Sequence, residues 1–230
     1  MNREWSDLNK TMQLQIKKKE TYEMGLSSLF ALRKQLMDTI LSFYQELSRE
    51  DFDAIPFLGA EGYHSKTIAY SLWHIFRIED IVAHTLISGD TQTFFAGDYQ
   101  RRTGSPIITT GNELKQDRIA DFSRQLDLDG LYSYLSDVRA STERIVRGLA
   151  FEDLKRKITD DRKEELKALH AVSEDEDAVW LIDYWCGKDI RGLIQMPFSR
   201  HWIMHIEACL RIKNRIRGQR RRIPTGADKG

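Results

Sequence analysis

Six histidines are scattered through the 230 residues, and two of them, His201 and His205, stand four apart. On an α-helix that spacing sets two rings about 40° apart around the axis and about 6 Å apart along it, so both can reach one metal ion. The same helical face carries Phe198, Met204, Ala208 and Ile212. The pair therefore points toward a core, where an imidazole without a partner is costly. His74 lies among Leu72, Trp73, Ile75 and Phe76, with Tyr70, Ser71, Ile78 and Ile81 on its side. Taken alone, such a histidine is ordinarily a hydrogen-bonded core residue. Three of them on two helices of one bundle point to a shared ligand, and three imidazoles leave positions on a divalent ion open for water or substrate.

The other candidates fit less well. Trp202, Ile203 and Met204 fill the space between the paired histidines, so the glutamate base of an HExxH protease is missing. Glu79 and Asp80 are turned about 120° to 140° from His74 on a helix and read as salt-bridging or ligand-supporting groups. His84 falls about 15 Å along the helix from His74, too far to join it. His64 and His170 read as surface residues, with His64 able to approach if its loop folds inward. Tyr70, Ser71 and Arg200 are near enough in sequence to orient a substrate. Cys186 and Cys209 are the only cysteines, too few for a disulfide framework. They read as buried thiols in a reducing compartment.

The elements that must position these residues are helical. Residues 1 to 20 are polar, contain Lys17, Lys18 and Lys19, and read as an exposed leader. From Leu26 to Leu47 apolar residues recur every three or four positions, giving a first long helix. Ser65 or Thr67 caps a second helix carrying His74, which Gly89 stops. Residues 89 to 126 read as a long connection with a short helix near Glu113 to Phe122. A third long helix holds Leu131, Leu135, Val138, Ile145 and Leu149 on one face. Residues 151 to 172 are highly charged and read as a surface insertion. Ser173 and Glu176 form a capping box before a short apolar helix stopped by Gly187. Pro197 opens the last helix, which runs to about Arg217 before Gly218. The expectation is an all-α four-helix bundle over residues 21 to 217, with insertions at 89 to 126 and 151 to 172 and a basic tail at 218 to 230.

Lys and Arg total 35, as do Asp and Glu, so the net charge is zero and no global field draws the chain to nucleic acid or an anionic membrane. No apolar run reaches the about 20 residues of a membrane span, and the first residues do not resemble a signal peptide. The expected location is the cytoplasm. Arg211, Lys213, Arg215, Arg217, Arg220, Arg221 and Arg222 form a basic run that could contact phosphates, but no aromatic residue is interleaved for base stacking. Cations there also complement the helix dipole. Apolar residues in surplus on the first helix allow a homodimer.

The segments TIAYSLWHIFRIED, around His74, and MPFSRHWIMHIEACLRIK, around His201 and His205, resemble the DinB superfamily. That family of metal-binding four-helix bundles includes bacterial thiol S-transferases and mycothiol-dependent maleylpyruvate isomerase. The resemblance covers the four long helices and implies that His74, His201 and His205 bind nickel, zinc or a similar divalent ion, with iron or manganese also compatible. It departs at residues 89 to 126 and 151 to 172, which are longer than usual in the family. What it implies is a metal-dependent transferase or lyase acting on a small molecule, with an external low-molecular-weight thiol or a small electrophile. The alternatives are a non-catalytic metal-binding stress-response protein and nucleic-acid binding through the tail.

Overall fold

Side-chain caps set where the helices begin. Thr67 accepts a hydrogen bond from the Tyr70 amide at 3.0 Å, Asp127 accepts from the Gly130 amide at 2.7 Å, and Asn2 accepts from the Glu4 amide at 3.0 Å. Each satisfies an amide that the first helical turn leaves without a partner. The computed structural model describes residues 2–57 and 59–221, and within them the chain is all-α. Its helices are α1 (Arg3–Gln15), α2 (Tyr22–Glu46), α3 (Arg49–Phe52), α4 (Ile68–Asp80), α5 (Thr93–Ala96), α6 (Tyr99–Thr103), α7 (Asp117–Gln125), α8 (Leu128–Arg147), α9 (Asp160–Ala168), α10 (Glu176–Cys186), α11 (Ile190–Gln195) and α12 (His201–Arg220). Among the described residues no strand forms, only one antiparallel bridge between Lys157 and Asp189. No helix there is long and apolar enough to cross a membrane.

Helix α4 packs on both α8 and α12, and α12 packs on α2. Helices α2 and α8 meet through long side chains, as where the Tyr132 hydroxyl donates to the Ile40 carbonyl at 2.9 Å. A buried ion pair joins this group. Arg33 on α2 donates to both carboxylate oxygens of Glu79 on α4, at 2.9 and 2.7 Å. The Trp202 indole of α12 donates to the same carboxylate at 2.8 Å, and Arg33 also reaches the Phe198 carbonyl at 3.0 Å.

Several segments differ from their sequence reading. Residues 3 to 15 are no exposed leader: α1 folds back on α2 and buries Trp5 and Met12, while Ile16 just beyond it is buried too. Gly25 permits this approach, because a β-carbon there would stand 2.5 Å from the Ile16 side chain and 2.8 Å from its backbone nitrogen. The charged segment 151 to 172 is anchored rather than peripheral: Leu154, Leu166, Ala171 and Val172 are buried in a hydrophobic cluster that includes Ile81, Val82, Leu86 and Ile87, and α9 packs on the Ile81–Ser88 turns. Asp175, not Ser173, caps α10, accepting from the Asp177 amide at 2.9 Å. Gly218 does not end α12, which continues to Arg220; one glycine near a helix end costs only about 1 kcal/mol. Arg222 and the rest of the tail to residue 230 lie outside the described residues.

The two helices carrying the histidines both contain wide, π-type turns. Beyond Asp80, α4 continues as such turns over Ile81–Ser88, and Gly89 follows in the left-handed conformation. Pro197 does not open the last helix: α11 runs into a wide turn at Met196–Arg200 that leads directly into α12. A proline lacks the amide a regular turn would use. The His201 amide bonds back to the Met196 carbonyl, five residues away.

Candidate metal centre

His74 projects from the middle of α4, and His201 and His205 from the first turns of α12. The three rings form a triangle with centroid separations of 5.1, 4.8 and 4.6 Å. One nitrogen from each lies within 4.8 Å of the others. Two nitrogens on one tetrahedral ion, bonded at about 2.0–2.1 Å, stand about 3.3 Å apart, so ring rotation can close the cluster. All three side chains are buried, with residue exposures of 6, 7 and 2 %. Nδ1 of His201 and both ring nitrogens of His205 have no hydrogen-bond partner among the described residues. Buried polar atoms left so cost about 1–3 kcal/mol each. This donor set fits a divalent ion that accepts imidazole nitrogen.

The charge state fits as well. Burial holds His74 at about 4, although its bond to the Thr110 carbonyl pulls the other way. Burial likewise keeps His201 well below its ordinary value, helped by the neighbouring His74, and His205 behaves the same way beside both rings. The rings are therefore neutral near pH 7, the form that offers a lone pair.

A loop within residues 89 to 126 fixes the orientation of His74. Four side chains of α4 each donate to one of four consecutive loop carbonyls: Arg77 to Ile108 at 2.8 Å, Trp73 to Thr109 at 3.1 Å, His74 Nδ1 to Thr110 at 2.9 Å, and Tyr70 to Gly111 at 3.0 Å. A carbonyl can only accept, so it keeps the proton on Nδ1 and leaves the Nε2 lone pair for the cluster. Gly111 makes the turn with φ +79°, a conformation that favours glycine. The sequence reading, a long connection with one short helix, does not show this because backbone carbonyls leave no mark in a side-chain pattern.

The cluster lines a cavity of about 390 Å³, within the range of small-molecule sites. Tyr63, Lys66, Tyr70, Asn112, Trp180, Tyr184 and Trp185 share its lining. Tyr63 packs edge-on against His205 with centroids 4.5 Å apart, and Tyr70 stacks on His74 at 5.6 Å. Of these, only Tyr70 was singled out by sequence position as a substrate-orienting candidate. The α10 contribution could have been suspected from the aromatic run Trp180, Tyr184 and Trp185.

The remaining candidates are bonded to other groups or face solvent. Glu79 pairs with Arg33. Asp80 accepts from the Thr93 and Phe94 amides and the Tyr134 hydroxyl at 2.8 to 2.9 Å. His84 is bonded to Asp90 at 2.5 Å, Ser141 at 3.0 Å and Thr93 at 3.1 Å, away from the cluster. His64 accepts from Arg211 at 2.6 Å, and His170 is exposed. Ser71 turns back to the Thr67 carbonyl, and Arg200 faces solvent. Cys209 is buried, whereas Cys186 is only partly so, and both are free thiols. In the basic run, Lys213 and Arg217 pair with Glu46 at 2.9 and 2.6 Å, and Arg220 pairs with Asp51 at 2.7 Å.

Fold and site together define an all-α protein with a buried three-histidine cluster, able to hold a metal ion, on the wall of a small-molecule-sized cavity. Comparison with protein-family models gives no match, and neither does comparison with curated proteins.

Proposed function

We propose that the chain is a DinB-like four-helix bundle, formed by α2, α4, α8 and α12, whose His74, His201 and His205 bind one divalent metal ion, nickel or zinc foremost. On this reading it is a metal-dependent transferase or lyase that uses a low-molecular-weight thiol or a small electrophile. The observation that carries the proposal is the triangle of buried imidazoles with nitrogens that have no hydrogen-bond partner among the described residues. A divalent ion held there supplies Lewis acidity, which lowers the pKa of a bound water or thiol toward neutral.

The chain's own residues have separate tasks in this reading. The Thr110 carbonyl fixes the His74 tautomer. Tyr63 and Tyr70 shield the imidazoles, and Trp180, Tyr184 and Trp185 give the cavity an aromatic wall for an apolar substrate body. The free thiols Cys186 and Cys209 fit a reducing compartment, so we place the reaction in the cytoplasm. Part-exposed Met24, Leu41 and Tyr44 on α2 favour pairing of two copies.

The test is a thiol titration of cobalt-loaded protein followed by visible absorption. The proposal expects the thiol to change the cobalt spectrum in wild type. An unchanged spectrum, with metal removal causing a large loss of stability, would instead support a non-catalytic protein whose ion ties α4 to α12.

A further inference from the structure

Lys66 lies just before the Thr67 cap of α4 and lines the same cavity as the three histidines. It is half-buried and has no ion pair among the described residues. The carboxylate whose charge it feels is Asp177, which is itself bonded to Lys115. Its ammonium stands 5.1 Å from the centre of the Tyr70 ring, and Tyr70 stacks on His74. Lys66 is also close enough for its charge to act on His74 and His205. A second donor stands on the same wall. Asn112 also lines the cavity; its side-chain oxygen accepts from the Thr110 hydroxyl at 2.8 Å, and its amide nitrogen donates to no protein group among the described residues.

From this arrangement we infer that Lys66 and Asn112 form an anion subsite, and that the cavity's ligand is a small molecule with a planar apolar body and one carboxylate. One ammonium and one amide match a singly charged head group, whereas a phosphate ester calls for more cationic donors. The aromatic residues Trp180, Tyr184 and Trp185 take the apolar body. Burial pulls the Lys66 ammonium below its ordinary pKa against the attraction of Asp177, and a bound carboxylate would relieve that cost.

This inference deepens the function proposed above but depends on the cavity rather than on the ion. The experiment follows the tryptophan indole signals of ¹⁵N-labelled protein, in metal-free and zinc-treated forms, during titration with 4-methylbenzoate and its neutral counterpart 4-methylbenzamide. In wild type the carboxylate should bind about tenfold or more tightly than the amide, the advantage of a charge-assisted hydrogen bond. Lys66→Met should reduce the preference to less than about twofold, and Lys66→Arg should keep most of it. The inference is overturned if the probes bind equally, if neither shifts the signals, or if Lys66→Met keeps the preference in metal-free protein. Failure of the metal reading would look different: zinc would not bind, while the preference in metal-free protein would remain.

Discussion

Replacing Glu79 by glutamine removes the charge that Arg33 faces at the centre of the helix packing. Arg33 and Glu79 are 1 and 0 % exposed, and their two hydrogen bonds measure 2.9 and 2.7 Å. Water cannot take over the lost charge. The other nearby acid, Glu143, lies 3.5 Å from Arg33 and is 18 % exposed, so it compensates only in part. Removing one partner of a buried pair costs about 3–5 kcal/mol, and partial compensation sets the expected cost of Glu79→Gln near about 3 kcal/mol. The glutamine also turns an N–H toward the donating Arg33 in either orientation, and in one of them toward the donating Trp202 indole as well. Replacing both charges, as Arg33→Met with Glu79→Leu, removes the desolvation cost and should return the protein to within about 2 kcal/mol of wild type. Urea unfolding followed by far-ultraviolet circular dichroism measures these variants together with the singles Arg33→Met and Glu79→Leu. A Glu79→Gln cost below about 1 kcal/mol, or a double variant no better than the sum of the singles, would refute this account of the pair.

Acid should destabilise the metal-free protein. Burial holds His74 at about 4 against an ordinary 6.5, so between those values the unfolded chain binds a proton that the folded chain does not. Stability is then fully present above about pH 6.5 and falls as pH drops toward 4, by about 3 kcal/mol for His74 alone; urea midpoints that stay level from pH 7 to 5 would rule this out. Gly111→Ala forces an alanine into φ +79° with its β-carbon 3.1 Å from the Tyr70 ring. That should cost about 2 kcal/mol and weaken metal retention by moving the Thr110 carbonyl, which stability and metal-competition measurements would detect. Gly25→Ala drives a β-carbon against the Ile16 backbone, which cannot yield as a flexible side chain does. A loss of about 1–3 kcal/mol is expected in thermal unfolding, and a neutral result would contradict the packing of α1 on α2.

The histidine cluster was legible because helical periodicity put all three residues on apolar faces, and the structure brings those faces together. Glu79 was legible as a salt-bridging group for the same reason, although its partner Arg33 lies 46 residues away and could not be named. What stayed hidden depends on contacts between distant segments. Nothing local shows that residues 108 to 111 present their carbonyls to one face of α4. Nothing local marks Lys66 as lacking an ion pair among the described residues either, or Asp177 as bonded to Lys115. Helix α1 was missed because its mean composition is polar and only a thin stripe, Trp5, Met12 and the following Ile16, is buried. The 151 to 172 segment misled in the same way, its many charges masking the anchors Leu154 and Leu166.

The central claim is that His74, His201 and His205 act together as metal ligands, and elemental analysis after reloading with nickel or zinc tests it most directly. Wild type should retain about one ion per chain after removal of excess metal, and His74→Ala, His201→Ala and His205→Ala should each lose it while remaining helical by circular dichroism. Wild type that retains no metal, or single variants that retain it undiminished, would contradict the claim and leave the three histidines as neutral core residues.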